Sequence, residues 1–456
     1  MQRITVKRFM ALRDVEIDIN DFLVLIGEQA SGKSTLSKLI YFFKSIRQDF
    51  VDILYDELDN DPHQIRYFWA RIGRKFYDYF GSTRHLEDFE IVFHYDTDKR
   101  IHLTLRDDRS LEISIEPTIF HQSLFFAADI RNYVTAVKNS SKQADAFGRK
   151  EFQRSLSELE KHTKILFNEA HSPLFIPAGR NITVNYSDQF NLRFYGNLRS
   201  DLTKRDLTPQ DDTTFSATPS ADLYLMENFL LHTERIKDRF KSNRIDEMIS
   251  QKMAIGERID TALVNRILNS MNKIIKGEYQ HDQYGEKIYY EQGRYVYLNN
   301  ASSGQQEAIR ILQDAFLIVL DKEDAFRVIE EPEAHLYPTA QKHLIEVLAN
   351  VINGSASQII ITTHSPYILS SVNNLLFAHR VATTNPASRS EVDKVLSESS
   401  WLDPSRTGVY FLTGGGSESI FDRSTGLVQQ SKLDDISEDL GADFQDLYEI
   451  HARAFA

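Results

Sequence analysis

The stretch Gly27-Glu28-Gln29-Ala30-Ser31-Gly32-Lys33-Ser34-Thr35 decides how the rest of this chain is interpreted. It matches the phosphate-binding pattern G-x-x-x-x-G-K-[ST] at every fixed position. Glycines let the backbone curl so that its N–H groups point at phosphate oxygens, and Lys33 places a positive charge near the β- and γ-phosphates. The hydroxyl of Ser34 would bind Mg²⁺. The stretch therefore predicts a nucleotide site at residues 27–35.

The segments on either side of this loop agree with that interpretation. Residues 22–26 form an apolar run that is typical of a buried strand, and residues 36–43 place apolar side chains at helical spacing. Upstream, residues 3–9 and 14–19 alternate between polar and apolar, which predicts two half-exposed strands. Strand, loop and helix thus follow one another in the order that a phosphate-binding loop requires.

Composition limits the class of protein. The chain has 456 residues, of which 41% are hydrophobic, so it can bury a large core in two or three compact units. It has no apolar run of about 18 residues and no signal-peptide pattern at Met1, which favours the cytoplasm and no membrane contact. The absence of cysteine excludes disulfides and thiolate chemistry. A net charge of −13 argues against a uniformly basic nucleic-acid coat, although a local basic groove is still allowed.

Several other segments have recognisable patterns. Residues 88–115 alternate with period two and predict an antiparallel meander, whereas residues 118–169 are expected to be mainly helical. Residues 173–180 predict a short strand that ends at Arg180, which either faces a phosphate or is a solvated arginine. The Thr-, Asp-, Ser- and Pro-rich residues 201–221 predict a loop or linker.

Two features allow more than one interpretation. The many aromatic residues between Tyr41 and Phe80 are expected to form a packed core, and a base-stacking platform is the alternative. Residues 222–276 predict one or two amphipathic helices with interleaved basic and acidic side chains, which favours a solvated face over a nucleic-acid or partner contact. A hairpin is predicted at 287–298.

Three further stretches narrow the chemistry. Residues 301–307 read Ala-Ser-Ser-Gly-Gln-Gln-Glu and precede a helical pattern, so their N–H groups and hydroxyls are available to an anion at a helix N-terminus. Residues 326–331 predict a strand that delivers two carboxylates, Glu330 and Glu331, one suited to Mg²⁺ and one to activating water. Residues 359–364 predict a buried strand that ends at His364, which would reach the γ-phosphate.

In this order and at these spacings, the four stretches resemble the ATP-binding-cassette (ABC) ATPases, in particular the SMC/RecF/OLD-like branch classed as AAA-15 or AAA-21 domains. The resemblance implies an α/β fold: a P-loop ABC-ATPase head whose mixed sheet has an antiparallel β-lobe and a RecA-like lobe, with a helical insertion. It implies ATP and Mg²⁺ as cofactors, with Ser34 and Glu330 binding the metal and with Glu331 and His364 as catalytic residues. The residues that would bind ATP are Gly27, Glu28, Gln29, Ala30, Ser31, Gly32, Lys33, Ser34 and Thr35 of the Walker A loop and Ser302, Ser303, Gly304 and Gln305 of the signature motif.

The same resemblance implies that each ATP lies between the Walker A loop of one copy and the signature motif of a second, in a head-to-tail homodimer. His335 falls in the D-loop region. The chain departs from the family pattern at Ala301, where leucine is common, and at Glu330, where aspartate is usual. No glutamine lies in an obvious Q-loop, for which Gln122 is the weaker and residues 175–180 the stronger candidate.

The resemblance also suggests a domain plan and a biological role. It predicts an N-terminal lobe at 1–116, a helical segment and return strand at 117–200, a linker with inserted helices at 201–285, and a C-terminal lobe at 286–456. Heads of this kind resemble ATPase components of bacterial antiphage systems such as PARIS and Septu, which regulate a separate effector, in such systems a nuclease. The alternative is a DNA-binding repair ATPase of the RecF or SMC kind.

Overall fold

The structure, a computed structural model, describes residues 2–56, 64–116, 157, 160–185, 221–242, 244–254, 259–422 and 424–429. The predictions for Gln122, for residues 201–220 and for most of 118–169 lie outside these ranges. The strands are β1 Arg3–Phe9, β2 Leu12–Asp18, β3 Phe22–Gly27, β4 Glu90–Asp96, β5 Lys99–Leu105, β6 Leu111–Ile115, β7 Ser172–Ile176, β8 Glu278–Asp282, β9 Gly285–Tyr289, β10 Tyr295–Tyr297, β11 Ala325–Glu330, β12 Gln358–Thr363, β13 Thr407–Thr413, β14 Gly416–Ser419, β15 Phe421–Asp422 and β16 Leu427–Val428. The α-helices are α1 Lys33–Asp56, α2 Gln64–Phe80, α3 Ile182–Asn185, α4 Ala221–Ser242, α5 Ile245–Ala254, α6 Thr261–Ile275, α7 Ser303–Asp321, α8 Pro338–Gly354, α9 Pro366–Thr384 and α10 Arg389–Val395.

Eleven strands form one mixed sheet in the order β6-β5-β4-β1-β2-β14-β13-β3-β12-β11-β7. Strands β1, β2, β4, β5 and β6 pair antiparallel, whereas β13, β3, β12, β11 and β7 pair parallel. Parallel neighbours need crossover connections, and helices supply them here. An antiparallel lobe and a parallel lobe joined in one sheet, with helices added, confirm the predicted α/β P-loop head.

The interior strand β3 lies between two hydrophobic cores. All six of its residues are buried, because parallel strands in the middle of a sheet are covered on both faces. Phe22, Val24 and Ile26 contribute to the core on one face, and Leu23 and Leu25 to the core on the other. The predicted buried strand is therefore confirmed.

The N-terminal predictions are confirmed as well. The strands expected at 3–9 and 14–19 are β1 and β2, and the meander expected at 88–115 is β4-β5-β6. The aromatic residues of α1 and α2 pack against one another; for example, the rings of Phe42 and Phe76 lie 5.8 Å apart, and both side chains are fully buried. They form a core, so the alternative of a base-stacking platform is excluded for these two rings.

The inserted region contains three helices, α4, α5 and α6, rather than the one or two predicted. Three of its predicted basic side chains are paired with acids of the chain itself: Lys237 with Glu234, Arg239 with Asp321, and Arg244 with Asp246. This pairing favours the solvated-face interpretation. Within the described ranges, no helix is both long enough and apolar enough to span a bilayer.

A small sheet, β10-β9-β8, is fixed to α7 by a buried ion pair. The guanidinium of Arg310 donates two hydrogen bonds to the carboxylate of Glu286, at 2.5 and 2.7 Å, and the hydroxyl of Tyr279 donates a third at 2.6 Å. Burial alone would raise the pKa of Glu286, but the charge and hydrogen bonds of Arg310 outweigh it and lower that pKa to about 2.

This pKa predicts a pH dependence of stability. Because the pKa of Glu286 is lower in the folded state, its carboxylate stabilises the fold by about 3 kcal/mol at pH values above its ordinary pKa of 4.5. This contribution is lost as the pH falls from 4.5 towards about 2. Glu286→Gln should therefore lower the free energy of unfolding at pH 7 and lower it by about half as much or less at pH 3. Urea unfolding at both pH values measures this, with the exposed Glu278→Gln on β8 as the control. An equal loss at both pH values would contradict it.

Candidate nucleotide-binding site

The predicted site residues follow the ends of neighbouring parallel strands. Strands β3, β12, β11 and β7 lie side by side and run in the same direction. Their carboxyl ends therefore meet at one edge of the sheet, the edge at which open α/β sheets bind ligands. The Lys33 loop follows β3, Glu331 follows β11, and His364 follows β12.

The loop after β3 is held closed by Lys33. Its Nζ donates to the carbonyl oxygens of Gly27 and Glu28, at 2.8 and 2.6 Å, and to the hydroxyl of Ser31 at 3.3 Å. Gly32 has a φ of +96°, and a Cβ there would lie 2.4 Å from the side chain of Leu12. The loop thus needs glycine at position 32 for its conformation, and a larger residue would also displace the end of the Leu12 side chain.

The ammonium of Lys33 lies among carboxylates. It is 6% exposed, and burial lowers its pKa, while the negative charges of Glu331, Glu333 and Glu28 act in the opposite direction. A buried cation that hydrogen-bonds only to neutral oxygens loses hydration without forming a close ion pair. An anion brought into this loop would therefore find a desolvated positive charge.

Glu330 is suited to holding a cation. It is 7% exposed, and its Oε2 accepts a long hydrogen bond from the N–H of Ala178 at 3.5 Å; the charge of Lys38 and the nearby hydroxyl of Ser34 partly oppose the effect of burial on its pKa. Its Oε1 is buried and has no partner in the described structure, and burial raises its pKa. An orphaned buried carboxylate oxygen next to the Ser34 hydroxyl fits Mg²⁺, which takes oxygen ligands.

A cation here would need ligands from outside the chain. Among the described residues, no group of three or more His, Asp and Glu side chains is arranged to hold a metal ion. Mg²⁺ commonly binds through one or two protein oxygens together with substrate phosphates and water. The pair of Ser34 and Glu330 matches that pattern and does not match an all-protein metal cage.

Glu331 has a different environment from its neighbour. Its carboxylate is 46% exposed and lies 3.8 Å from Nε2 of His364, whose side chain is 39% exposed. Its backbone has a φ of +41°, an unusual conformation for a residue other than glycine, and its N–H donates to the carbonyl of Thr362 at 2.9 Å. Strained backbone of this kind is concentrated at functional sites. The two adjacent carboxylates therefore have separate partners.

Glu333 belongs to the same cluster, although we did not predict it from the sequence. Its Oε1 accepts from the hydroxyl of Thr363 at 2.5 Å and from the N–H of His364 at 3.1 Å, whereas its buried Oε2 has no described partner. Glu333 thus fixes the end of β12 that carries His364. The sequence offered one signal, a third acid two positions after Glu331.

The signature residues begin α7. Ser302 caps the helix: its Oγ accepts from the N–H of Gln305 at 3.4 Å, and the Gln305 side chain accepts from the N–H of Ser302 at 3.0 Å. Ser302 and Ser303 are exposed. The described hydrogen bonds of the Ser302 and Gln305 side chains go to each other, to Ile275 and to Tyr290. None goes to the Lys33 loop of the same chain.

Gly304 is packed against the loop that follows β11. A Cβ at Gly304 would lie 2.5 Å from the carbonyl oxygen of His335, which is backbone and not a flexible side chain. His335 itself has a φ of +59°. The first turn of α7 therefore touches the segment that carries Glu331, and only glycine allows this approach.

Gly304→Ala should destabilise the protein by about 1–3 kcal/mol, because the added methyl group forces backbone apart. The matched control is Gly73→Ala in α2, where a Cβ would lie 3.5 Å from the nearest atom, in ordinary contact with Ile113. Replacing a helical glycine without a clash should instead stabilise by about 0.5–1 kcal/mol. Urea denaturation of both variants measures the contrast, and equal effects would show that the His335 contact is unimportant.

Arg180 differs from both of its predicted environments. It is 0% exposed, so it is not a solvated arginine, and its guanidinium is occupied by backbone carbonyls and by Glu307 rather than open to a phosphate. The sequence could not reveal these partners, because Glu307 lies 127 positions away along the chain.

Comparison with known proteins gives one family and several structures. A family model described as an AAA ATPase domain matches residues 1–369. No curated protein matches the chain. One similar solved structure is an SMC head bound to the C-terminal winged-helix domain of ScpA, with 10% sequence identity, a TM-score of 0.41 and coverage of 92% of this chain and 96% of that chain. A second is the SMC head domain from Thermotoga maritima, with 10% identity, a TM-score of 0.32 and coverage of 92% and 97%. A third is a Pyrococcus furiosus Smc head with an extended coiled coil bound to the C-terminal domain of ScpA, with 12% identity, a TM-score of 0.37 and coverage of 96% and 100%.

Proposed function

Because the chain belongs to the AAA_15 family of AAA ATPase domains, we propose that it binds ATP at residues 27–35 and hydrolyses it with Glu331 as the general base. The observation that carries this proposal is the grouping of Lys33, Ser34, Glu330, Glu331 and His364 at one edge of the sheet. A phosphate-binding loop, a metal-side acid and a second acid near a histidine are the parts that phosphoryl transfer to water requires.

Each residue has a distinct task in this proposal. The ammonium of Lys33 exchanges its hydrogen bonds to the carbonyl oxygens of Gly27 and Glu28 for hydrogen bonds to phosphate oxygens. It then forms the close ion pair that these neutral oxygens do not provide. Mg²⁺, when bound by Ser34 and Glu330, neutralises phosphate charge. Glu331 takes the proton from the attacking water as the bond from the γ-phosphorus to the bridging oxygen breaks, and His364 orients that water or the γ-phosphate.

We propose further that the site is completed by a second copy of the chain. Ser302 and Ser303 are exposed at the N-terminus of α7, where N–H groups and the helix dipole favour an anion. Exposed aromatic rings follow the two strand ends, Tyr337 after Glu331 at 75% exposed and Tyr367 after His364 at 53%, which suits a surface that becomes covered. In a head-to-tail homodimer each exposed serine pair would face the ATP bound by its partner.

The last part of the proposal concerns the biological role of this ATPase. We propose a cytoplasmic sensor subunit of a bacterial antiphage system, in which the ATP-bound dimer controls a separate effector protein, a nuclease in such systems. The resemblance of the head to the ATPases of such systems supports this role. The alternative is a DNA-binding repair ATPase of the RecF or SMC kind, against which the internal pairing of Lys237, Arg239 and Arg244 counts.

One experiment separates these two roles. The steady-state rate of ATP hydrolysis should be measured with and without duplex DNA at low and moderate salt. A regulator of a protein effector should hydrolyse ATP at nearly the same rate in both cases. Strong stimulation by DNA that is steeply weakened by salt would instead support the repair ATPase, because phosphate contacts release counterions.

A further inference from the structure

Arg180 joins three elements of the proposed site. It lies in the loop after β7, with the guanidinium wholly buried. Its Nη1 donates to the carbonyl oxygens of Pro177 at 2.9 Å and Glu330 at 2.6 Å, and its Nη2 donates to that of Glu331 at 3.0 Å. Its Nε lies 3.2 Å from the carboxylate of Glu307 in α7. One side chain thus contacts the β7 loop, the end of β11 and the signature helix.

Glu307 holds Arg180 from several directions. Besides the ion pair, its carboxylate accepts from the N–H of Arg180 at 3.1 Å and from that of Asn181 at 3.4 Å. Glu307 is 1% exposed, so the pair is shielded from water. A buried ion pair of this kind contributes little net stability compared with apolar side chains of similar volume. The main effect of the ion pair is therefore to fix the position of the Arg180 guanidinium.

The guanidinium of Arg180 in turn holds the backbone of Glu331. The residue has a strained φ of +41°, so its backbone needs support from its surroundings. The N–H of Glu331 is held by Thr362 and its carbonyl oxygen by Arg180. With both sides of the residue held, the direction of its Cα–Cβ bond is fixed, which limits the positions that its carboxylate, 3.8 Å from Nε2 of His364, can reach. The carbonyl of Glu330, held by the same guanidinium, is fixed in the same way.

We propose that Arg180 is a positioning residue that orients Glu331, and that Glu307 anchors Arg180 to the signature helix for this purpose. The inference rests on the proposed function, since it assigns Glu331 a part in ATP hydrolysis. The planar fork of arginine is needed, because its two Nη atoms reach the carbonyl oxygens while its Nε faces Glu307 in one rigid plane, whereas the three donors of lysine share a single nitrogen. Arg180 touches neither ATP nor water in this account and acts only through the residues that it holds.

The test uses Arg180→Lys in the full-length chain. We expect kcat for ATP hydrolysis to fall by about 10- to 100-fold, as for loss of accurate positioning, while KM changes less than about threefold. Binding of ATP, read as the rise in Tm on adding ATP and Mg²⁺, should be kept. In a Glu331→Gln background, Arg180→Lys should cause no further loss of kcat, because residues that act as a unit are not additive.

Arg327→Lys is the matched control. Arg327 is also a buried arginine with a bidentate contact, to Asp314, but its described hydrogen bonds go neither to Glu330 nor to Glu331. Arg327→Lys should lower the free energy of unfolding without the selective loss of kcat that is expected for Arg180→Lys. If Arg180→Lys does not fold, Glu307→Gln takes its place in the same comparison, since it weakens the anchor while keeping an acceptor oxygen.

The outcomes are distinguishable. If the wild-type protein does not hydrolyse ATP, both the proposed function and this inference fail. If the wild type is active but Arg180→Lys, or its substitute, loses kcat no more than Arg327→Lys, only the inference fails. It also fails, with the proposed function intact, if Arg180→Lys lowers the residual rate of Glu331→Gln as strongly as it lowers that of the wild type.

Discussion

Glu331→Gln should lower the rate of ATP hydrolysis by about 10²- to 10⁴-fold, the range that loss of a general base produces. Glutamine is similar in size to glutamate and would lie beside His364 in the same way, but it cannot accept a proton from water. Because the Lys33 loop and the side chain of Glu330 are unchanged, ATP should still bind. The variant should therefore accumulate as an ATP-bound dimer, which sedimentation velocity with ATP and Mg²⁺ detects.

The control for this variant is Glu391→Gln, which changes an exposed glutamate on α10. It should hydrolyse ATP at the wild-type rate and show no trapped dimer. If Glu331→Gln also hydrolysed ATP at the wild-type rate, the assignment of the base would be wrong. Glu333, whose buried Oε2 has no described partner, would then be the next carboxylate to test.

Lys33→Met should remove ATP binding while leaving the fold intact. The substitution deletes a buried charge whose pKa is lowered by burial, but it also removes three hydrogen bonds within the loop, so the free energy of unfolding without nucleotide should fall by about 1–3 kcal/mol. Saturating ligand stabilises a folded protein, by about 2.7 kcal/mol at one hundred times its Kd. The wild type should show this stabilisation as a rise in Tm with ATP and Mg²⁺, and Lys33→Met should not.

Lys75→Met serves as the control for the loss of a lysine. Lys75 is partly buried and donates to Ser45 and Asp49, away from the Lys33 loop. This variant should keep the rise in Tm with ATP. An equal rise in Lys33→Met would show that the loop between Gly27 and Thr35 does not bind the phosphates.

The sequence allowed much of the fold and the main site residues to be predicted, because those predictions depend on local patterns. Apolar runs and period-two alternation placed β1, β2, β3 and the meander of β4 to β6, and the match to an AAA ATPase domain confirms a nucleotide-binding ATPase at the level of the family. The roles of Lys33, Glu331 and the signature residues remain predictions, which the variants above are designed to test.

The rest of the site depends on contacts between distant residues, which local patterns do not encode. The bonds from Arg180 to the carbonyls of Glu330 and Glu331 span 150 positions or more, and the close approach of Gly304 to His335 joins a helix start to a later loop. The role of Glu333 likewise depends on distant partners, Thr363 at the end of β12 and His364 directly after it. Charge pairing likewise favours the solvated-face interpretation of helix α4, and it depends in part on Asp321, a residue distant in the sequence.

The central claim, that each chain supplies half of every ATP site, is tested most directly by mixing two inactive variants. Lys33→Met disables the phosphate loop, and Ser303→Glu places a negative charge at the start of α7, where an acid favours the helix but repels phosphate. Each variant alone should be inactive, whereas an equal mixture should recover up to about one quarter of the wild-type ATPase rate, because half of the dimers then contain one intact site. A mixture no more active than its two components would contradict the claim.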